Sequence, residues 1–287
     1  MLVDVSLYLP PLIELAQQAS AAILDIYQRS RQFDVHAKSD SSPLTQADLL
    51  ANEVLVKGLQ ALTPGLPILS EEGLQPDYAI RQSWERYWLI DPLDGTKEFV
   101  AHSGEFSINI ALIERQRPIL GLIYLPVMDT VYYACHGKGA FKQGPEQLPV
   151  QCYTRQWESV LPIVLTLGNR SKLVKLQPLL DQLGQYEIIN AGSAYKFCLI
   201  AEGRADLYPR LGLTYEWDTA AGQIIVEEAG GIVVDLNAQP LQYNTKASLL
   251  NSHFFGIGDA TALAVKLKPV MQILRGELHG KNALKWQ

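Results

Sequence analysis

Between Pro11 and Arg29 the apolar residues Leu12, Leu15, Ala16, Ala19, Ala22, Ile23, Ile26 and Tyr27 recur at helical spacing, and Pro11 suits a first turn. The spacing predicts an amphipathic helix. Arg31 to Pro43 is polar and turn-rich. A second helix is expected after it, with Thr45 as cap, Asp48 in its first turn, and Leu49, Val54, Leu55 and Leu59 on its apolar face. Ile68-Leu69 reads as a short strand ending at Glu71. β-rich runs follow at Tyr87 to Ile90, Phe106 to Ile113, Ile119 to Tyr124 and Val131 to Ala134, separated by Gly, Pro and charged clusters, and they predict a largely antiparallel sheet.

Past Val150 the pattern alternates. Strands are expected at Ile163 to Leu167, Glu187 to Ile189, Ala205 to Tyr208 and Ile232 to Val234, with helices at Leu173 to Leu183, Ser193 to Ala201 and Asp218 to Ala229. Such alternation signals α/β layering. The change near Gln151 to Trp157 divides an N-terminal α+β unit, residues 1–155, from a C-terminal α/β unit, residues 156–259. In the remaining 260–287, Leu263, Leu267, Val270, Leu274 and Leu278 predict one more helix, which Pro269 is expected to kink or divide.

A chain of 287 residues that is 48% hydrophobic can bury a large core, which excludes disorder for most of it. The formal charge of -6 gives no general reason to bind nucleic acid, so an anionic ligand needs a local basic pocket. Cys135, Cys152 and Cys198 lack the spacing of a disulfide framework or a zinc site and read as reduced thiols. Without a signal-like N-terminus or an apolar run of spanning length, a cytoplasmic protein with no integral membrane association is expected.

The most informative segment is Asp91-Pro92-Leu93-Asp94-Gly95-Thr96, reached through the apolar run Trp88-Leu89-Ile90. Pro92 and Gly95 force a turn, and the turn carries two carboxylates and a hydroxyl. Two carboxylates about 5 Å apart repel by about 3 kcal/mol at an effective dielectric of about 20. A hard cation such as Mg²⁺ relieves that repulsion and prefers oxygen ligands. Taken singly, each acid has a duller reading: Asp91 and Asp94 as turn formers, Asp218 as an N-cap, Asp48 as a helix-dipole partner, Glu71 and Glu72 as solvated charges.

Taken together with Pro43-Leu44-Thr45-x-x-Asp48, Leu69-Ser70-Glu71-Glu72 and Trp217-Asp218-x-Ala220-Ala221-Gly222, the segment resembles the signature of the inositol monophosphatase superfamily of Mg²⁺-dependent, lithium-sensitive phosphatases. The longer string through Lys97-Glu98-Phe99 is similar to the CysQ-type 3'(2'),5'-bisphosphate nucleotidase branch, as are Gly192 to Cys198 and Leu207-Tyr208-Pro209-Arg210. The resemblance implies a layered α/β/α/β/α sandwich and two or three Mg²⁺ ions held by Glu71, Asp91, the Leu93 carbonyl, Asp94 and Asp218.

By the same resemblance Thr96 orients the attacking water and Asp48 accepts its proton. Gly95 and Thr96 receive phosphate oxygens, Ser193 meets the base or ribose, Lys196 and Arg210 meet the second phosphate, and Asp218 also touches substrate. The implied substrate is a phosphorylated nucleotide of sulfur assimilation, 3'-phosphoadenosine 5'-phosphate, with inositol or sugar phosphates as the alternative; a homodimer is the implied assembly. Two departures stand out: Tyr195 replaces a small aliphatic residue, and Leu167 to Ser171 lacks a histidine expected to flank adenine. Lys38 matches a lysine near the metals.

Overall fold

The computed structural model describes residues 4–30, 43–168 and 173–279. Lys38 and the 169–171 part of the segment lacking the histidine lie outside them. Among the described residues twelve strands form two sheets. The first has seven strands in the order β1 (Ile68–Ser70), β2 (Arg86–Asp94), β3 (Ser107–Glu114), β4 (Arg117–Leu125), β5 (Thr130–Cys135), β6 (Gly139–Gln143) and β7 (Val150–Cys152). β1 pairs with β2 in parallel and every other pairing is antiparallel. The second has five, from β8 (Ile163–Leu167), β9 (Tyr186–Asn190), β10 (Leu207–Arg210), β11 (Ile232–Asp235) and β12 (Phe254–Ile257), in the order β11-β12-β10-β8-β9.

Alternation along the strands assigns the layers. In β2 and β3, Trp88, Ile90, Ile108, Ile110 and Leu112 face α1 (Leu9–Ser30) and α2 (Pro43–Leu62). Tyr87, Leu89, Ala111 and Ile113 point the other way, onto Phe197 of α6 (Tyr195–Ala201) and Ala221 and Ile224 of α7 (Ala220–Glu228). Tyr208, Val233 and Phe254 of the second sheet close that same core. Its far face, with Leu165, Leu207, Phe255 and Ile257, is covered by α5 (Gln177–Leu183) and α8 (Ala262–His279). The result is the five-layer α/β/α/β/α sandwich. Two short helices, α3 (Tyr78–Arg81) and α4 (Thr96–Val100), sit in the connections around β2.

Several expectations need correction. Thr45 does not cap α2, because the helix already begins at Pro43 and Asp48 stands in its second turn. The buried stripe of α2 is Ala47, Ala51, Leu55 and Leu59, at intervals of four, and Leu49 falls outside it at 49% exposure. Small alanines let α2 approach closely, which an apolar count favouring leucine overlooks. Pro269 lies inside an unbroken α8, where Leu267, Val270, Met271 and Leu274 are buried against the second sheet and hold the helix through the missing hydrogen bond. The helix expected over Leu173 to Leu183 is a 3-10 turn, Leu173–Leu176, followed by α5. Strands β6, β7 and β12 were not anticipated. Cys135, Cys152 and Cys198 are buried and free. Among the described residues no helix is long and apolar enough to cross a membrane.

Candidate active site

Parallel pairing of β1 with β2 builds the site's floor. Glu71, next after β1, donates its N–H to the Ile90 carbonyl at 3.2 Å, so it stands beside Asp91 of β2 where β1 ends. Asp91 shares the strand face of Tyr87 and Leu89, which looks toward α7, and its register partner on β3 is Asn109. The register then breaks between Asp91 and Asp94. Within that bulge Asp91 Oδ1 accepts the Leu93 N–H at 3.0 Å, while Asp91 Oδ2 is buried with no partner among the described residues. Gly95 ends the bulge at φ 101°, and a Cβ there would lie 3.1 Å from the Phe106 backbone and 3.2 Å from Ser193 Cβ. Only glycine combines that backbone with that closeness.

Asp218 comes from the other side, out of a 3-10 turn, Glu216–Asp218, that leads into α7. It does not cap α7, whose N-cap is Thr219; its carboxylate accepts the Tyr215 N–H at 2.9 Å. The turn reaches the sheet because α7 lies directly on β4: a Cβ on Gly121 would come within 2.6 Å of the Ala221 carbonyl. Ligand atoms of Glu71, Asp91 and Asp218 thus gather within 4.8 Å of one another. Three carboxylates so close repel pairwise by about 3 kcal/mol at an effective dielectric of about 20. An orphaned buried oxygen and an all-oxygen donor set fit a hard divalent cation.

The acids respond to this crowding. Burial, followed by the charges of Asp94, Glu71, Asp218 and Asp48, pushes Asp91 well above the usual carboxylate range. Burial and then Asp94 raise Asp218 to about 8. Asp94 and Glu71 are also raised, desolvation coming first for both.

Asp48 approaches from α2. The Ser70 hydroxyl donates to Asn52 Oδ1 at 2.7 Å, and Asn52 is one turn beyond Asp48, so this bond aims the Asp48 face of the helix at Glu71 and Glu72. Desolvation and then the charges of Glu72 and Glu71 raise Asp48 to about 8. Thr96 is the first residue of α4, which packs against α2, and its side chain is exposed. No hydrogen bond joins it to Asp48 among the described residues.

Beside the carboxylates lies a cavity of about 240 Å³ lined by Asp94, Asp218, Ser193, Lys196 and Arg210, together with Lys97, Glu98 and Tyr208. Lys196 is 4% exposed; its ammonium donates to the Ser193 carbonyl at 2.5 Å and the Ala191 carbonyl at 3.3 Å. Desolvation lowers its pKa to about 8 against the raising influence of Asp94. Ser193 adopts φ 41°, and both its Oγ and Arg210 Nε are buried in the cavity wall without a partner among the described residues. Arg210 Nη2 meanwhile donates to the Leu213 carbonyl at 2.9 Å.

Tyr195 is not among the lining residues and its hydroxyl accepts from Arg204 at 3.0 Å, so this departure faces away from the cavity. Gly168 does line it, which places the start of the segment lacking a histidine at its edge. Lys97, Glu98, Tyr208, Thr214 and Thr219 were not singled out as lining residues, although the Lys97-Glu98 pair had marked the nucleotidase branch.

A sequence model of the inositol monophosphatase family matches residues 4–267, and the chain belongs to this family. Within it, the chain is 44% identical over 244 residues to the 3'(2'),5'-bisphosphate nucleotidase CysQ of Escherichia coli K12, covering 84% of this chain and 96% of that one. It is 42% identical over 248 residues to the CysQ of Aggregatibacter actinomycetemcomitans, covering 86% and 91%. The crystal structure of CysQ from Bacteroides thetaiotaomicron superposes with a TM-score of 0.77 at 38% identity, over 90% of this chain and 99% of that one.

Proposed function

We infer that the chain is a Mg²⁺-dependent phosphatase that removes the 3'-phosphate of 3'-phosphoadenosine 5'-phosphate, giving AMP and inorganic phosphate, and that it also accepts the 5'-phosphosulfate analogue. The observation that carries this reading is adjacency: the carboxylate cluster adjoins a cavity lined by three cations, Lys97, Lys196 and Arg210, in an otherwise acidic protein. A monophosphate needs the carboxylate end alone; a second phosphate gives the cations a purpose. The CysQ relatives at 44% and 42% identity support the same substrate class.

Glu71, Asp91, the Leu93 carbonyl, Asp94 and Asp218 would hold two or three Mg²⁺ ions, which when bound neutralise phosphate charge and stabilise the leaving oxygen. Thr96, at the start of α4, orients the attacking water, and Asp48 takes its proton. The backbone of Gly95 and Thr96 receives phosphoryl oxygens. As the new P–O bond forms, the bond to the ribose 3'-oxygen breaks and that oxygen takes up a proton from solvent water. Arg210 Nε and Ser193 Oγ, buried and without a partner among the described residues, bind the part of the nucleotide that does not react. Lys196 holds the Ser193 turn by its carbonyls while presenting positive charge to the second phosphate.

With this reading go a cytoplasmic location, a place in sulfur assimilation, a homodimer and inhibition by lithium. Turnover compared on the bisphosphate nucleotide, inositol 1-phosphate and fructose 1,6-bisphosphate tests it. The nucleotide should have the highest kcat/KM; preference for either sugar ester would assign the chain to another branch of the family.

A further inference from the structure

Asp218 rides on a three-residue 3-10 turn, too short to hold its own shape. The turn is gripped by the segment from Leu241 to Asn251, which itself contains neither helix nor strand. The Leu249 carbonyl accepts the Glu216 N–H at 2.9 Å, and the Asn244 N–H donates to Glu216 Oε2 at 2.8 Å. The Asn251 amide straddles Asp218, donating to the Tyr215 carbonyl at 2.6 Å on one side and to Thr219 Oγ1 at 3.0 Å on the other. Tyr215 in turn donates its N–H to Asp218 Oδ2 at 2.9 Å, so Asn251 fixes the carbonyl of the same residue whose N–H aims the carboxylate.

That gripping segment is anchored from beneath. Arg81, 2% exposed at the end of α3, donates to Asn244 Oδ1, to the Lys246 carbonyl at 2.9 Å and to the Ala247 carbonyl. Asn244 Nδ2 returns a bond to the Arg81 carbonyl at 2.5 Å. Glu216 is 1% exposed and takes the backbone N–H of the same Asn244. A buried guanidinium and a buried carboxylate are thus joined through one asparagine, ending two residues from Asp218.

We propose that Asn251 and the Arg81-Asn244-Glu216 chain are positioning residues for Asp218 and set how tightly the site binds divalent cations. The proposal rests on reading Asp218 as a metal ligand. None of these residues lines the cavity beside the carboxylates; they act through the turn. Outer partners of a metal ligand are worth about 10- to 100-fold in affinity.

The test is Mn²⁺ titration of the full chain, reading free ion by electron paramagnetic resonance, alongside thermal unfolding without metal. Asn251→Ala and Glu216→Leu should each weaken Mn²⁺ binding about tenfold or more. Glu216→Gln, which keeps an acceptor for the Asn244 N–H, should restore near-original binding. Should Glu216→Leu fail to fold, Asn251→Ala carries the test. Lower unfolding temperatures with unchanged Mn²⁺ binding would reduce these residues to ordinary structural ones and overturn the proposal. Asp218→Asn separates the two layers: if it too leaves Mn²⁺ binding unchanged, the ligand reading itself falls, whereas weakened binding in Asp218→Asn alone defeats only the positioning role.

Discussion

Asp94 and Lys196 face one cavity and make opposite demands on it. Asp94→Asn removes the charge that bears on Asp91 and Asp218 while keeping the side chain's size, and on the proposed ligand role turnover should fall by at least about 100-fold, about 3 kcal/mol in barrier, with the fold retained. Near-normal rates at saturating Mg²⁺ would remove Asp94 from the ligand set. Lys196→Ala removes a charge away from the breaking bond. Binding energy from a remote phosphate is partly used in the transition state, so kcat/KM should drop far more for the bisphosphate nucleotide than for a simple monophosphate. An equal drop on both would show that Lys196 does not select the nucleotide. Its hydrogen bonds to Ser193 and Ala191 supply a structural role that this comparison separates from substrate contact.

At the scale of elements, the seat of α7 on β4 decides where Asp218 arrives. Gly121→Val places side-chain atoms where the Ala221 carbonyl lies 2.6 Å from an ideal Cβ, so α7 must shift. Overpacking of this kind costs about 1–3 kcal/mol, readable as a lower denaturant midpoint. A change within about 0.5 kcal/mol would mean that the contact relaxes without moving the helix.

The same scale shows what the sequence could convey. α1 was legible because its apolar stripe is long and regular, and β8 because Ile163 to Leu167 is an uninterrupted buried run. β12 was not legible. It follows a long irregular segment, and its antiparallel place between β10 and β11 depends on distant partners that no local pattern encodes. The acids Asp91, Asp94 and Asp218 stood out by motif and turn chemistry. Asn251 and Arg81 did not, because each acts through hydrogen bonds to backbone far along the chain and neither residue type at its position signals chemistry alone.

For the whole molecule, the crowded acids predict an inverted pH response when metal is absent. The folded-state pKa values of Asp48 and Asp218, each about 8, lie above the ordinary 3.8. The folded protein therefore holds protons that the unfolded chain releases, and stability from these groups is present at low pH and lost as pH rises through about 8. Metal-free protein should lose Tm steadily as pH rises from about 5 to about 8, with the loss levelling off above that. Mg²⁺ binds the deprotonated acids, so the Tm increase it produces should grow over the same window. A flat or rising Tm in chelator-treated protein would contradict the cluster's electrostatics.

The chemical claim is tested most directly by the product. With Mg²⁺, 3'-phosphoadenosine 5'-phosphate should give 5'-AMP and one equivalent of phosphate, separated by chromatography, and chelation should stop the reaction. Formation of 3'-AMP, turnover that survives chelation, or no turnover of this nucleotide would contradict the account.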